Sequence, residues 1–248
     1  MKHGKDYFSP SQLKKLFISL GQLNAYLKKV WTASSSMELG TLVHLRLLEP
    51  EKYNKTIRVI DDKDICSEIG GARPTATKKY KEWKAGLESE AKENDWILIS
   101  GAQDFIINKI YRDCVMAGII DDYFTGGEAE KTVTGIAQGF DEEFPALCII
   151  DYDKDEVSVD LKTTSKELGK FHFDANSLGY DIQAATTNGV NGKPFIFVVV
   201  QTVEPYDIGV FTCSENFMER GVWKVNTALQ NYEQYEDEFS SQIIYKEL

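Results

Sequence analysis

From residue 126 to residue 163 the chain adopts a period of two, and this stretch limits the possible folds more than any other. Apolar and polar residues alternate through AEKTVTGIAQG (129–139), ALCIID (146–151) and EVSVDLKT (156–163). Alternation at that period places successive side chains on opposite faces of a strand. The short connections, with Tyr152-Asp153-Lys154-Asp155 as the tight turn between the last two strands, predict a meander. A helical pattern over 102–117, capped by Ser100, precedes it and carries Phe105, Ile106, Ile110 and Val115. A helix near 178–188, an apolar strand PFIFVVVQTV (194–203) and an edge strand at 208–213 follow. The order from 102 is therefore α-β-β-β-α-β, which predicts an α/β domain built on a mixed sheet.

Upstream, SPSQLKKLFISLGQLNAYLKKV reads as one amphipathic helix with Ser9 as N-cap, Pro10 in its first turn and Leu13, Leu16, Phe17 and Leu20 on one face. A second helix spans roughly Met37 to Leu48 and stops at Glu49-Pro50. Residues 56–60 read as a short strand, 61–73 as a loop, and the charged run after Ala72 as a helix. The expectation is one domain over 1–248. Residues 1–101 form a mainly helical N-terminal elaboration, 102–213 the core, and 214–248 a C-terminal helix with an acidic tail carrying Glu233, Glu236, Asp237 and Glu238.

No apolar run approaches the roughly 20 residues of a membrane span, and the N-terminus has no signal-peptide pattern, so a cytoplasmic protein away from the membrane is expected. Cys66, Cys114, Cys148 and Cys213 form no CxxC pair, which argues against a zinc ribbon or iron–sulfur cluster and for reduced thiols. The net charge of −11 argues against a generic duplex binder, which needs a basic face. One segment runs the other way. Arg73, Lys78, Lys79, Lys81 and Lys84, interleaved with Tyr80 and Trp83, resemble a strand-tracking surface, although a solvated helix face is the plainer reading.

The residues that carry chemistry are Asp151 and Asp160-Leu161-Lys162. Asp151 ends one predicted strand and Asp160 lies in the next, while Asp160 and Lys162 share a face. Two carboxylates converging with an ammonium suit Mg²⁺ or Mn²⁺, one or two ions per site, which take oxygen ligands, polarise a phosphate and acidify a bound water. Leu161 could add its carbonyl, Lys162 could orient or help deprotonate that water, and Thr163 and Thr164 stand near enough to bond a phosphate. The spacing alone is weak evidence, because a charged hairpin with an edge lysine has the same pattern.

Asp151 with Asp160-Leu161-Lys162-Thr163-Thr164, followed by GYDIQAA, resembles the core of the PD-(D/E)XK nuclease superfamily. The resemblance is strongest to the exonuclease VIII group of phage-type enzymes and more distant to lambda exonuclease and RecB-type domains. It implies a restriction-endonuclease-like core in which Asp151, Asp160 and Lys162 are the catalytic set. It adds Tyr180 and Gln183 from the next helix and Glu130 as the upstream acid, with Glu128 as the other register. LGTLVHLRLLEPEKY resembles a GT-x-x-H segment and implies His44 as a metal ligand. The chain departs from the family at Ile150, where proline is usual, at Asp160 in place of Glu, and at Thr187 where a second tyrosine often stands.

The resemblance further implies a Mg²⁺- or Mn²⁺-dependent 5′–3′ exonuclease acting on ends of double-stranded DNA, whose product serves a single-strand annealing protein in recombination, and in some relatives a homo-oligomer. An endonuclease or single-strand-specific nuclease of the same superfamily, and a non-catalytic DNA-binding or scaffold module on that fold, remain open alternatives.

Overall fold

In the computed structural model, residues 7–29 and 35–233 are described. The helices and strands in chain order are α1 (Pro10–Ile18), α2 (Leu20–Lys28), α3 (Ser35–Leu48), α4 (Pro50–Thr56), β1 (Ile57–Ile60), α5 (Lys63–Ile69), α6 (Lys78–Glu93), β2 (Ile97–Ser100), α7 (Gly101–Met116) and α8 (Ile119–Tyr123). They continue with β3 (Glu128–Ala137), β4 (Phe144–Asp153), β5 (Ser158–Thr164), α9 (Phe171–Ser177), α10 (Tyr180–Asn191), β6 (Phe195–Gln201), β7 (Ile208–Thr212) and α11 (Glu215–Glu233). The described residues form two compact units, 7–29 with 121–233, and 35–120.

The first unit is built on a mixed sheet ordered β3-β4-β5-β6-β7. The predicted meander forms, with β3 antiparallel to β4 and β4 to β5. β5 then runs parallel to β6, from Ser158↔Phe195 to Thr164↔Gln201, so the chain must cross over between them, and α9 and α10 make that crossing. Both strands are buried along most of their length, as a central parallel pair requires. One core cluster joins Phe8, Leu13, Leu16 and Leu23 to Phe144, Ala146, Ile182 and Val225. Another joins Phe171, Ala175 and Ala184 to Phe195, Phe197 and Val199.

The N-terminal cap forms as expected, with Ser9 and Gln12 bonding each other's backbone N–H groups and Pro10 in the first turn. The single helix expected beyond it is two. Ser19 is extended, at φ −174°, and its hydroxyl accepts from the Gln22 N–H to start α2. A serine that can satisfy the next turn's donor competes with continuation of the helix it sits in.

The turn after Tyr152 also moves. β4 runs on through Asp153, paired with Glu128, and the turn closes from the Lys154 N–H to the Val157 carbonyl at 2.9 Å. Asp151 is therefore interior to its strand rather than at its end. Asp153 is buried and bound by Lys131 (2.9 Å), Lys193 (2.8 Å) and Ser158 (3.1 Å), so the hairpin acids are not merely a solvated tip.

α11 lies against α10 through Gly221, where a Cβ would come within 2.2 Å of the Asp181 carbonyl oxygen. Asp181, fully buried, accepts from Arg220 (2.6 Å) and Lys224 (2.7 Å) at the same crossing.

In the second unit β1 pairs in parallel with β2, from Ile57↔Ile97 to Ile60↔Ser100. β2 is not foreshadowed in the sequence, because ILIS is a four-residue run without alternation. α5 stands where a loop is expected, and at Pro50, where the preceding helix stops, α4 begins at once with that proline in its first turn. Ser100 and Gln103 form a capping box that launches α7, which packs on α3. The four cysteines are free, Cys114 and Cys148 buried. Among the described residues no helix is long and apolar enough to cross a membrane. Glu236, Asp237 and Glu238 lie outside the described residues, and Glu233 closes α11.

Candidate metal centre

Glu130 and Asp151 belong to neighbouring strands and occupy opposite positions. The β3–β4 ladder pairs Ala129 with Tyr152 and Lys131 with Ile150, but the residues between, Glu130 and Asp151, drop out of the register. Glu130 has φ +53°, a left-handed backbone in mid-strand that a residue with a Cβ adopts only at a cost. A carboxylate oxygen of Glu130 and one of Asp151 lie within 4.8 Å of each other. The structure thus supports Glu130 over Glu128 as the acid beside Asp151. Glu128 is exposed and within 3.7 Å of Lys131.

The β4–β5 ladder is short, pairing only Tyr152↔Val159 and Asp153↔Ser158. Beyond it the strands part, and Asp151 Oδ2 accepts the Leu161 N–H at 2.8 Å. That bond fixes Asp151 next to Asp160, which is 1% exposed on β5. Period-two geometry places Lys162 on the same face, and its ammonium contacts Asp160 Oδ2. This oxygen takes no well-directed hydrogen bond. Asp160 Oδ1 is held separately by the Gln183 side-chain N–H from α10.

The electrostatics follow from this crowding. Burial, then the neighbouring Asp160, push the Asp151 carboxyl well above the ordinary carboxylate range, against the pull of Lys162 and the Leu161 N–H. Burial alone would lower the Lys162 amine, but Asp160 and Asp151 outweigh it and hold it above its ordinary value. Asp151 and Asp160 thus share the Lys162 ammonium, with the Glu130 carboxylate beside Asp151. Oxygen donors from Glu130, Asp151 and Asp160, one of them an incompletely satisfied buried carboxylate oxygen, fit a hard divalent cation such as Mg²⁺ or Mn²⁺.

α10 brings both of its expected residues to this place. Tyr180 lies with its ring 5.0 Å from the Lys162 ammonium and stacks on Phe197 at 5.6 Å. Gln183, one turn on, reaches Asp160. Lys14 of α1, which no sequence motif marks, is a further member. Its ammonium donates to Gln183 Oε1 at 3.4 Å and lies 5.1 Å from the Tyr180 ring. Burial, then Lys162, lower its pKa to about 8. The only sequence signal was its position beside Leu13, flanking the buried stripe of α1.

Thr163 and Thr164 follow Lys162 on β5, half-buried. The Thr164 hydroxyl accepts from the Lys166 N–H at 3.1 Å and is already engaged in a local turn. In the other unit His44 is half-buried on α3. Arg73, Lys78, Lys79 and Lys81 are exposed, while Trp83 is half-buried with Tyr80 at 5.5 Å. Lys79 pairs with Glu68 (3.2 Å) and Lys78 with Glu82 (3.5 Å), so part of the basic charge is locally offset.

The fold has solved counterparts. A candidate exonuclease from Eubacterium rectale superposes with a TM-score of 0.54 at 16% identity, covering 98% of this chain and 91% of that one. A phage-related exonuclease from Haemophilus somnus gives 0.32 at 12% identity, over 70% of this chain and 92% of its own, too low a score to carry an argument. No curated protein matches the sequence. The family model of a PDDEXK-like domain of unknown function (DUF3799) matches residues 9–241, nearly the whole chain. With its mixed sheet and its acids and lysine gathered on β3, β4 and β5, the chain belongs to this PDDEXK-like family.

Proposed function

We propose that this protein is a divalent-cation-dependent deoxyribonuclease. The observation that supports it most is the gathering of Glu130, Asp151 and Asp160 with Lys162 on three neighbouring strands. These acids would hold Mg²⁺ or Mn²⁺, one or two ions, with the Leu161 carbonyl as a further oxygen. His44 is proposed as a ligand from the GT-x-x-H resemblance alone. A cation there supplies Lewis-acid polarisation of the scissile phosphate and acidification of water.

The remaining work belongs to side chains. Lys162, a cation between two acids, balances charge that builds on the phosphate and orients the attacking water by hydrogen bonding. Gln183 holds Asp160 in one rotamer, and the Tyr180 ring backs the Lys162 ammonium. Thr163 and Thr164 would bond substrate phosphate, and Arg73, Lys78, Lys79, Lys81 and Trp83 would track the DNA backbone and bases.

By resemblance, the substrate is linear double-stranded DNA resected from its 5′ ends for a single-strand annealing protein, and the enzyme could work as a homo-oligomer. The test compares end-labelled linear duplex with closed circular duplex, in Mg²⁺, Mn²⁺ and EDTA. The expected result is degradation of the linear form only, in either metal but not in EDTA, and a loss of about 10²- to 10³-fold or more in Lys162→Ala. Efficient cutting of the circle would replace the exonuclease reading with the endonuclease one. Near-normal turnover by Lys162→Ala would remove Lys162 from the mechanism.

A further inference from the structure

Lys14 sits where an ammonium is expensive. A lysine beside an apolar helix stripe ordinarily extends its amine to water along its methylene stem. Lys14 turns inward instead. Its stem lies over Gly179, where a Cβ would meet Lys14 Cγ at 3.2 Å, and its amine ends on Gln183 Oε1. Burial and the nearby Lys162 disfavour the charge it carries there. An amine that only filled space would gain nothing from this position.

The consequence falls on the amide of Gln183. An amide has one accepting end and one donating end, and the two are not interchangeable between an ammonium and a carboxylate. With Lys14 donating to Oε1, Nε2 must face Asp160, where it donates to Oδ1. The flipped amide would set Oε1 against a buried carboxylate and the NH₂ against an ammonium, two mismatches at once. Gln183 thus occupies Oδ1, so that Oδ2, which the Lys162 ammonium contacts without a well-directed hydrogen bond, is the oxygen a cation would share.

We propose that Lys14 is a positioning residue: by fixing the Gln183 amide it selects which oxygen of Asp160 is presented to the metal. This rests on the nuclease reading above for the presence of the metal, but not for the amide relay itself. Outer partners of a ligand commonly change metal affinity or activity by about 10- to 100-fold.

The test is a double-substitution cycle read by Mn²⁺ affinity in calorimetry and by single-turnover cleavage of linear duplex. The chains compared are wild type, Lys14→Met, Gln183→Leu and the double variant, with thermal melting to confirm folding. Lys14→Met is expected to change Mn²⁺ affinity by about 10-fold in the wild-type background and by less than about two-fold when Gln183 is already leucine. Lys14→Arg, which retains a donor, should stay within about three-fold of wild type and serves if the methionine variant does not fold. An equal change in both backgrounds would mean that Lys14 acts through its charge alone, and no change in either would mean that it does not act on the site. Both outcomes overturn the proposal while the nuclease reading stands. A wild-type chain that binds no Mn²⁺ overturns the nuclease reading and this inference together.

Discussion

Glu130 is held in a backbone conformation that its own side chain disfavours, directly opposite Asp151. Strain of this kind costs on the order of 1–3 kcal/mol and persists where the surrounding structure enforces it. Two effects of opposite sign follow for Glu130→Gly. Unfolding in denaturant should show a chain more stable by about 1 kcal/mol, because glycine accepts φ +53° freely. Mn²⁺ binding by the same variant should weaken. A loss of stability would mean that the left-handed residue is not strained, and unchanged Mn²⁺ affinity would remove Glu130 from the site. At this scale Asp160 and Lys162 are legible in the sequence, since period two alone puts them on one face, and Asp151 is legible from the strand before them. The sequence could not decide between Glu128 and Glu130, which share a face at spacing two. The left-handed backbone at Glu130, which brings its carboxylate beside Asp151, favours Glu130, and a conformation of that kind leaves no trace in residue types. Lys14 was illegible for a related reason: its partner Gln183 lies far along the chain, and a lysine beside an apolar stripe looks like any solvated one.

Among the elements, α10 supports the site most directly, since it supplies Tyr180 and Gln183 and is itself pinned by α11. The pin is a glycine contact combined with a buried ion cluster of Asp181, Arg220 and Lys224. Gly221→Ala would place a methyl 2.2 Å from the Asp181 carbonyl oxygen, and α11 would have to shift. Overpacking of this order costs about 1–3 kcal/mol. Thermal unfolding should show that loss, with cleavage reduced as α10 moves; an unchanged melting midpoint would mean that the two helices can separate freely. Most elements were legible from their patterns: the three strands of the meander, the apolar β6, and α1 with its Ser9 cap. The failures have local causes. Ser19 splits a helix by capping the next one, β2 is too short to show alternation, and the turn after β4 shifts because Asp153 is buried under Lys131 and Lys193 instead of facing solvent.

At the scale of the whole molecule, the proposed function requires a chain of net charge −11 to confine any attraction for nucleic acid to particular regions. The exposed segment with Arg73, Lys78 and Lys79 is the proposed phosphate-binding region in the Ser35–Ile120 unit. Each phosphate neutralised contributes a slope of about −0.9 to log affinity against log salt. Because Glu82 and Glu68 already offset Lys78 and Lys79, replacing all three by alanine should flatten the slope by less than about three such increments. Fluorescence-anisotropy titrations of a short duplex in Ca²⁺ across a salt series would measure it, and an unchanged slope would return this segment to an ordinary solvated helix face.

A cation held by acids from neighbouring strands is the central proposal, and calorimetric titration of Mn²⁺ into the wild-type chain and Asp151→Asn tests it most directly. Saturable binding of one or two ions by wild type, lost or weakened by about 10-fold or more in the variant, is the predicted result. Equal binding by both chains, or no binding by wild type at millimolar Mn²⁺, would contradict it.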